Sequence, residues 1–316
     1  MKRIYLLPAI LIVMSCALVA LPMQNRSASE SIATAQGVRA TNGSPETQSL
    51  ALRTQDFWSG GDRRWRGRRR DRDPNDRGGV PLWKNDEADP SDVFTFVRIR
   101  WSRHGDDGHR GWGRRSKWRT DYPDADLNLS YRLQQLTSIK TDPNGKILQL
   151  TDEELFKYPF IYIIEPGNMR LSQAEVVALR NYLERGGFLM VDDFWGEDEW
   201  ANFANEMKRV FPKRPIEDIP LEHEIFNIVY KLKKKPLIPS VHAYQRGNRT
   251  ERWDAKEPHY RCIKDDGGRL MTVICHNTDL GDGWEQEGAD SGYFEEYSEP
   301  YAYPLGINIV TYAMTH

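Results

Sequence analysis

Apolar and polar residues fall into three regimes along this chain. From Ile4 to about Met23 the chain is almost continuously apolar, from 24 to 91 it shows no period, and from 92 onward short apolar runs alternate with stripes at helical spacing. Only the last regime has the pattern of a core. It opens with Val93-Phe94-Thr95-Phe96-Val97-Arg98-Ile99-Arg100, whose β-branched and aromatic content predicts a first strand. A Gly-, His- and Arg-rich stretch from Trp101 to Arg119 reads as a loop. Leu127, Leu129, Leu133, Leu136 and Ile139 then mark a helical stripe over 124–139. Thr151-Asp152-Glu153-Glu154 has the form of a capping box, opening a short helix that stops before Pro159.

Phe160-Ile161-Tyr162-Ile163-Ile164 is apolar throughout, as expected of a strand covered on both faces. Ser172-Gln173-Ala174-Glu175 is a second capping box. Val176, Val177, Leu179, Tyr182 and Leu183 give the helix it opens one apolar face, and Gly186-Gly187 ends it. The chain passes at once into Phe188-Leu189-Met190-Val191, so strand, helix and strand make a β-α-β unit with a right-handed parallel crossover. Helices over 199–211 and 305–314, a short helix or turn over 222–230 and a strand over 269–275 complete the pattern. The alternation predicts an α/β fold: a doubly wound, mostly parallel, flavodoxin-like sheet with helices on both faces. No internal repeat is present.

Composition divides the chain at the same place. The 316 residues carry a formal charge of -2, so nothing global argues for nucleic acid or a membrane surface. Met1-Lys2-Arg3 ahead of the apolar run has the form of an export signal. Ala33-Thr34-Ala35 offers a small-x-small cleavage site. Left uncleaved, about 20 apolar residues can span a bilayer and tether the domain outside the cytoplasm. Cys16 after Val13-Met14-Ser15 bears a faint likeness to a lipoprotein box. The chain is therefore expected to be exported, periplasmic or secreted, with residues 1–35 as signal peptide or membrane anchor.

Residues 36–91 read as a disordered linker, poor in apolar residues and then rich in Arg, Gly and Asp, as in Gly60-Gly61-Asp62-Arg63-Arg64-Trp65-Arg66-Gly67-Arg68-Arg69-Arg70. Its arginines suit weak contact with an anionic surface, and export leaves no specific nucleic acid expected. The folded domain is 92–316. Cys262 and Cys275 would meet an oxidising compartment, where they can pair or stay as two buried thiols. Neither lies in a nucleophile or zinc motif, and no cofactor is expected.

In open parallel sheets, ligands bind outside the carboxyl ends of the strands. That rule selects Arg100 and Trp101, then Glu165-Pro166-Gly167-Asn168, then Asp192-Asp193-Phe194-Trp195, then His276-Asn277-Thr278-Asp279. Asp192, Asp193 and His223 are the catalytic candidates, with His223 as general base. Glu165, Asn168, Trp195, His276 and Asp279 are the ligand-binding candidates. Strand alternation predicts that only one of Asp192 and Asp193 looks into the cleft. Clustered Asp, Glu and His can hold a divalent cation, but without a fixed-spacing motif no metal ligand is assigned.

Several of these runs carry a resemblance: Trp118-Arg119-Thr120-Asp121-Tyr122-Pro123, Pro159-Phe160-Ile161-Tyr162, and Leu171-Ser172 through Gly186-Gly187-Phe188-Leu189-Met190-Val191-Asp192-Asp193. With them go His223 before Ile225-Phe226, Asp279-Leu280-Gly281-Asp282-Gly283-Trp284-Glu285 and Leu305-Gly306-Ile307-Asn308. In this order they resemble the bacterial family known as domain of unknown function 4159, over about 92–316. One departure is Glu224, where the family pattern has proline. The resemblance implies a fold similar to class I glutamine amidotransferases, and no established activity. The chemistry of those enzymes needs a cysteine on a Gly-x-Cys-x-Gly elbow. Ile274-Cys275-His276-Asn277 lacks both glycines, and no Gly-x-Ser-x-Gly is present. A shared fold alone does not transfer function.

Two readings remain. One is a non-catalytic binding or assembly module for a protein or small-molecule partner, with aromatic loops such as Gly292-Tyr293-Phe294-Glu295-Glu296-Tyr297 making contacts. The other is a hydrolase-type enzyme using Asp and His at the carboxyl edge of the sheet, with or without a metal.

Overall fold

The computed structural model describes residues 77–85, 92–102 and 116–316. The expected leader, Cys16 and the Arg-rich run of the linker lie outside the described residues. Among those described, no helix is long and apolar enough to cross a membrane.

In chain order the elements are β1 (Val93–Phe94), β2 (Val97–Ile99), α1 (Asp124–Leu136), β3 (Lys140–Thr141), β4 (Lys146–Leu148), β5 (Phe160–Ile164), α2 (Gln173–Glu184), β6 (Phe188–Phe194) and α3 (Gly196–Val210). There follow β7 (Glu217–Asp218), α4 (Val241–Gln245), β8 (His259–Cys262), β9 (Thr272–His276), α5 (Leu280–Glu285), α6 (Ser291–Tyr293), a π-helix over Phe294–Ala302, and α7 (Tyr303–Thr315). The main sheet has seven strands in the order β4-β2-β5-β6-β9-β8-β7. β4, β2, β5, β6 and β9 are mutually parallel, and β8 and β7 extend one edge antiparallel.

Two cores lie on opposite faces of this sheet. Period-two alternation along β5 and β6 sends Tyr162, Ile164 and Met190 to one face, where α1, α5 and α7 supply Leu129, Leu133, Trp284 and Ile309. Ile161, Ile163, Leu189 and Val191 meet Leu179 and Leu183 of α2 and Phe203 and Met207 of α3 on the other. Truncating a buried leucine such as Leu179 to Ala would cost about 2–5 kcal/mol.

Helix α2 forms where local signals agree. The Ser172 hydroxyl accepts from Glu175 N–H at 3.2 Å while the Glu175 carboxylate accepts from Ser172 N–H at 2.7 Å. At the other end Gly186 takes φ 104°, and the Arg269 guanidinium donates to the Leu183 carbonyl at 3.1 Å. The first expected strand, by contrast, is split. β1 pairs with β3 in a separate two-stranded sheet, while β2 pairs with β4 and β5. Every residue from Phe94 to Ile99 is buried, so no solvent face holds the run in a single ladder.

Other expectations shift locally. The segment after Thr151 is a 3-10 turn over Glu153–Lys157, and the Asp152 carboxylate accepts from Gln149 N–H at 2.8 Å instead of a box forming. Helix α3 begins at Gly196, before the expected start at 199, with Glu197, Asp198 and Glu199 complementing its positive end. Residues 77–85, inside the stretch read as linker, lie on the domain: Val80 is buried, and the Trp83 indole donates to the Thr141 carbonyl at 2.8 Å. Cys262 and Cys275 are free and buried.

Candidate functional site

Polar groups gather at the carboxyl ends of β5, β6 and β9. Between Val191 and Phe194 the pairing of β6 with β9 shifts register. Asp193 there has φ 54°, and Asp121 (61°), Glu165 (47°) and Asn277 (60°) share the left-handed region. These are the non-glycine residues with a left-handed backbone among those described, a conformation costing on the order of 1 kcal/mol or more each.

The bulge breaks alternation, so Asp192 and Asp193 do not part to opposite faces as expected. The Asp192 carboxylate accepts from Gly281 N–H at 2.8 Å and from the Tyr162 hydroxyl at 3.2 Å, leaving its Oδ1 buried without a partner. Asp193 accepts from the Trp195 indole at 2.8 Å. Both act electrostatically on Asp279. Asp279 caps α5, its Oδ1 accepting from Asp282 N–H at 2.7 Å.

Oxygens of Asp121, Asp193 and Asp279, one from each, lie within 4.8 Å of one another, and all three residues are buried. Asp121, from the turn preceding α1, also belongs to a second such group with Asp282 and Glu285 of α5. Its Oδ2 is buried and lacks a hydrogen-bond partner. Burial raises the ionisation of Asp121 well above the usual carboxylate range, reinforced by repulsion from Glu285, Asp282 and Asp193. Burial does the same to Asp193, with Glu165 and Glu251, and to Asp279, with Asp193, Asp282 and Asp121. Asp192 is pushed up to about 7 by burial, against the hydrogen bonds that favour its charge.

Among the described residues the nearby cations form their ion pairs with other carboxylates, although Arg98 also acts electrostatically on Asp121. Arg98, fully buried in β2, pairs with Asp126 at 2.5 Å and donates to the carbonyls of Trp118 and Thr120 at 3.1 and 2.9 Å. Lys117 pairs with Glu165 at 2.5 Å. Among the described residues no Lys, Arg or His forms an ion pair with Asp121, Asp193, Asp279 or Asp282. Mutually repelling buried carboxylates are stabilised by protons or by a bound cation. An all-oxygen set favours hard divalent ions.

The remaining sequence candidates have other surroundings. Glu165 accepts from the Thr120 hydroxyl at 2.5 Å besides pairing with Lys117, and Asn168 sits on the 3-10 turn that follows it. Trp101 donates from its indole to the Ile164 carbonyl at 3.0 Å, while Arg100 is exposed. His276 Nε2 meets the Gly196 carbonyl at 3.1 Å and its Nδ1 meets the Arg261 guanidinium at 3.2 Å. Arg261 can only donate, so Nδ1 accepts and the proton is on Nε2. Burial lowers this imidazole to about 4.

His223 caps a 3-10 turn, Nδ1 accepting from Ile225 N–H at 3.2 Å, and its charged neighbours are Glu224, Lys264 and His316. It does not join the carboxylates. Burial raises Cys275 well above the usual thiol range, with Asp192 adding to it, and raises Cys262 to about 11. Neither is poised as a thiolate.

Asp121, Asp282 and Glu285 were not singled out as site residues from sequence. The available signal was the three-residue spacing of Asp279, Asp282 and Glu285, which places successive carboxylates on neighbouring positions of a helical turn. Residues 98–314 match the family described as Domain of unknown function (DUF4159), and the chain belongs to that family. No curated protein matches it.

Proposed function

We propose that this member of the DUF4159 family is an exported binding module that takes a divalent cation at the carboxyl edge of its sheet. The scaffold we assign it is flavodoxin-like and similar to amidotransferases, but lacks their nucleophile. The observation that carries the reading is the convergence of Asp121, Asp193 and Asp279, buried, with oxygens within 4.8 Å and no ion-pair partner among the described residues. It revises the sequence reading, which assigned no metal ligand.

The scaffold assignment is supported by strand order. Numbered among themselves along the chain, the five parallel strands lie across the sheet as second, first, third, fourth, fifth, the doubly wound order with its switch point between β2 and β5. Export is supported by the leader pattern in Met1 to Met23. Binding is favoured over hydrolysis because neither His223 nor His276 stands with the carboxylates as an acid or base.

Thermal unfolding of the metal-stripped full chain, with and without Mg²⁺, Ca²⁺ or Mn²⁺, tests the reading. A cation at 100 times its dissociation constant stabilises the native state by about 2.7 kcal/mol. A rise in melting temperature that disappears in Asp279→Asn is expected. No rise with any of the three ions, in protein that unfolds cooperatively, refutes it.

A further inference from the structure

The acidic cluster continues beyond the three ligands just named. Asp121 is common to two groups, one with Asp193 and Asp279 and one with Asp282 and Glu285, and within each group the candidate oxygens lie within 4.8 Å. Charge alone does not make a site. Asp121 supplies the independent observation: only 8% of the residue is exposed, and Oδ2 has no hydrogen-bond partner.

The position of that oxygen is specific. It faces Gly281, which with Leu280 lies between Asp279 and Asp282, so closely that a Cβ there would lie 2.4 Å from it. An unpartnered carboxylate oxygen set beside the segment that carries ligands of both groups has the form of a bridging ligand. Asp279 and Asp282 retain capacity. Asp279 uses Oδ1 to cap α5, and Asp282 accepts from Val241 N–H at 2.7 Å and more distantly from the Gln286 amide at 3.4 Å.

We propose that Asp121 bridges a pair of hard divalent cations, one held with Asp193 and Asp279 and the other with Asp282 and Glu285. This rests on the cation-binding reading above and adds the second ion, its ligands and the bridge. Carboxylate-bridged ions lie about 3.5 to 4 Å apart, close enough for two Mn²⁺ to couple magnetically.

The test is Mn²⁺ titration of the metal-stripped full chain, with bound metal counted by equilibrium dialysis and the spectrum followed by electron paramagnetic resonance. Two Mn²⁺ per chain with a spin-coupled spectrum are expected. Glu285→Gln and Asp282→Asn should each bind one ion with an uncoupled six-line spectrum, and Asp193→Asn should also bind one. Asp121→Asn should weaken both by at least tenfold. Circular dichroism selects folded variants, and Glu285→Gln and Asp282→Asn serve as alternatives for the second group. One ion in the wild type, undisturbed by either, overturns the pair and leaves the single-cation reading standing. Two ions without spin coupling overturn the bridge, and no bound Mn²⁺ overturns both readings.

Discussion

Gly281→Ala separates the geometry of the carboxylate cluster from the stability of the fold. Gly281 lies in the first turn of α5 and is not among the glycines with positive φ, so alanine fits the backbone and improves helix propensity by about 1 kcal/mol. The added Cβ would lie 2.4 Å from Asp121 Oδ2, 3.0 Å from the Tyr162 hydroxyl and 3.2 Å from Ile164 Cδ1. The closest of these is the end of a side chain, which can yield. Restoring ordinary contact moves the Asp121 oxygen by about 1 Å, whereas metal–ligand distances tolerate only about 0.2 Å. The expected outcome is a folded protein within about 2 kcal/mol of the wild type, with cation affinity down about 10- to 100-fold, equivalent to about 1.4–2.8 kcal/mol. Calorimetric Mn²⁺ titration, paired with urea unfolding of the metal-free protein, reads both quantities. Affinity within twofold of the wild type in folded Gly281→Ala would refute the placement of Asp121 as a ligand.

Other consequences concern groups outside the cluster. The His276 imidazole ionises at about 4 in the fold and 6.5 unfolded, so its contribution is complete above 6.5 and lost as pH falls toward 4. That is about 3 kcal/mol at most, and His276→Gln, which can still donate to Gly196 and accept from Arg261, should flatten this part of the stability–pH curve measured by urea unfolding. Arg98→Met leaves Asp126 buried without its partner and should cost about 3–5 kcal/mol, most of it recovered on adding Asp126→Leu; equal stability of the single and double variants would contradict the pairing. Cys262 and Cys275 should resist iodoacetamide at pH 8 in the native protein and react fully in urea, because burial keeps both protonated and covered. Rapid native alkylation of Cys275 would reopen thiol chemistry.

The elements legible in the sequence are those whose signals are local and mutually consistent. Ser172, Glu175, the apolar face at Val176, Leu179 and Leu183, and Gly186 each specify part of α2, and the helix forms between them. The continuous apolar runs of β5 and β6 follow from a sheet covered on both faces. Pairing partners are not a local property, and the split of Val93–Ile99 between two sheets left no mark in its composition. β3, β4 and β7 are two or three residues long, too short for a period to register. The candidate site shows the same division. The rule of strand ends selected Glu165, Asp192, Asp193 and Asp279. Asp121 arrives from a turn far from them in sequence, and the contribution of both Asp192 and Asp193 depends on a bulge that breaks the alternation used to separate them.

That bulge belongs to a wider contrast between the two ends of the sheet. At the amino end of β9, polar groups are matched: Leu270 N–H donates to the Tyr312 hydroxyl at 3.0 Å, and Arg269 is bound by Asp265 at 3.0 Å. At the carboxyl end the left-handed residues Asp121, Glu165, Asp193 and Asn277 occur together with the unpartnered oxygens of Asp121 and Asp192. Arg98, buried beside them, forms its ion pair with Asp126. Left-handed backbone, unpartnered carboxylate oxygens and mutually repelling carboxylates thus coincide at one edge of the sheet. Such joint violations are characteristic of places where a ligand completes the structure. A pair of divalent ions would supply a partner for the Asp121 oxygen and a charge opposite to that of the carboxylates around it.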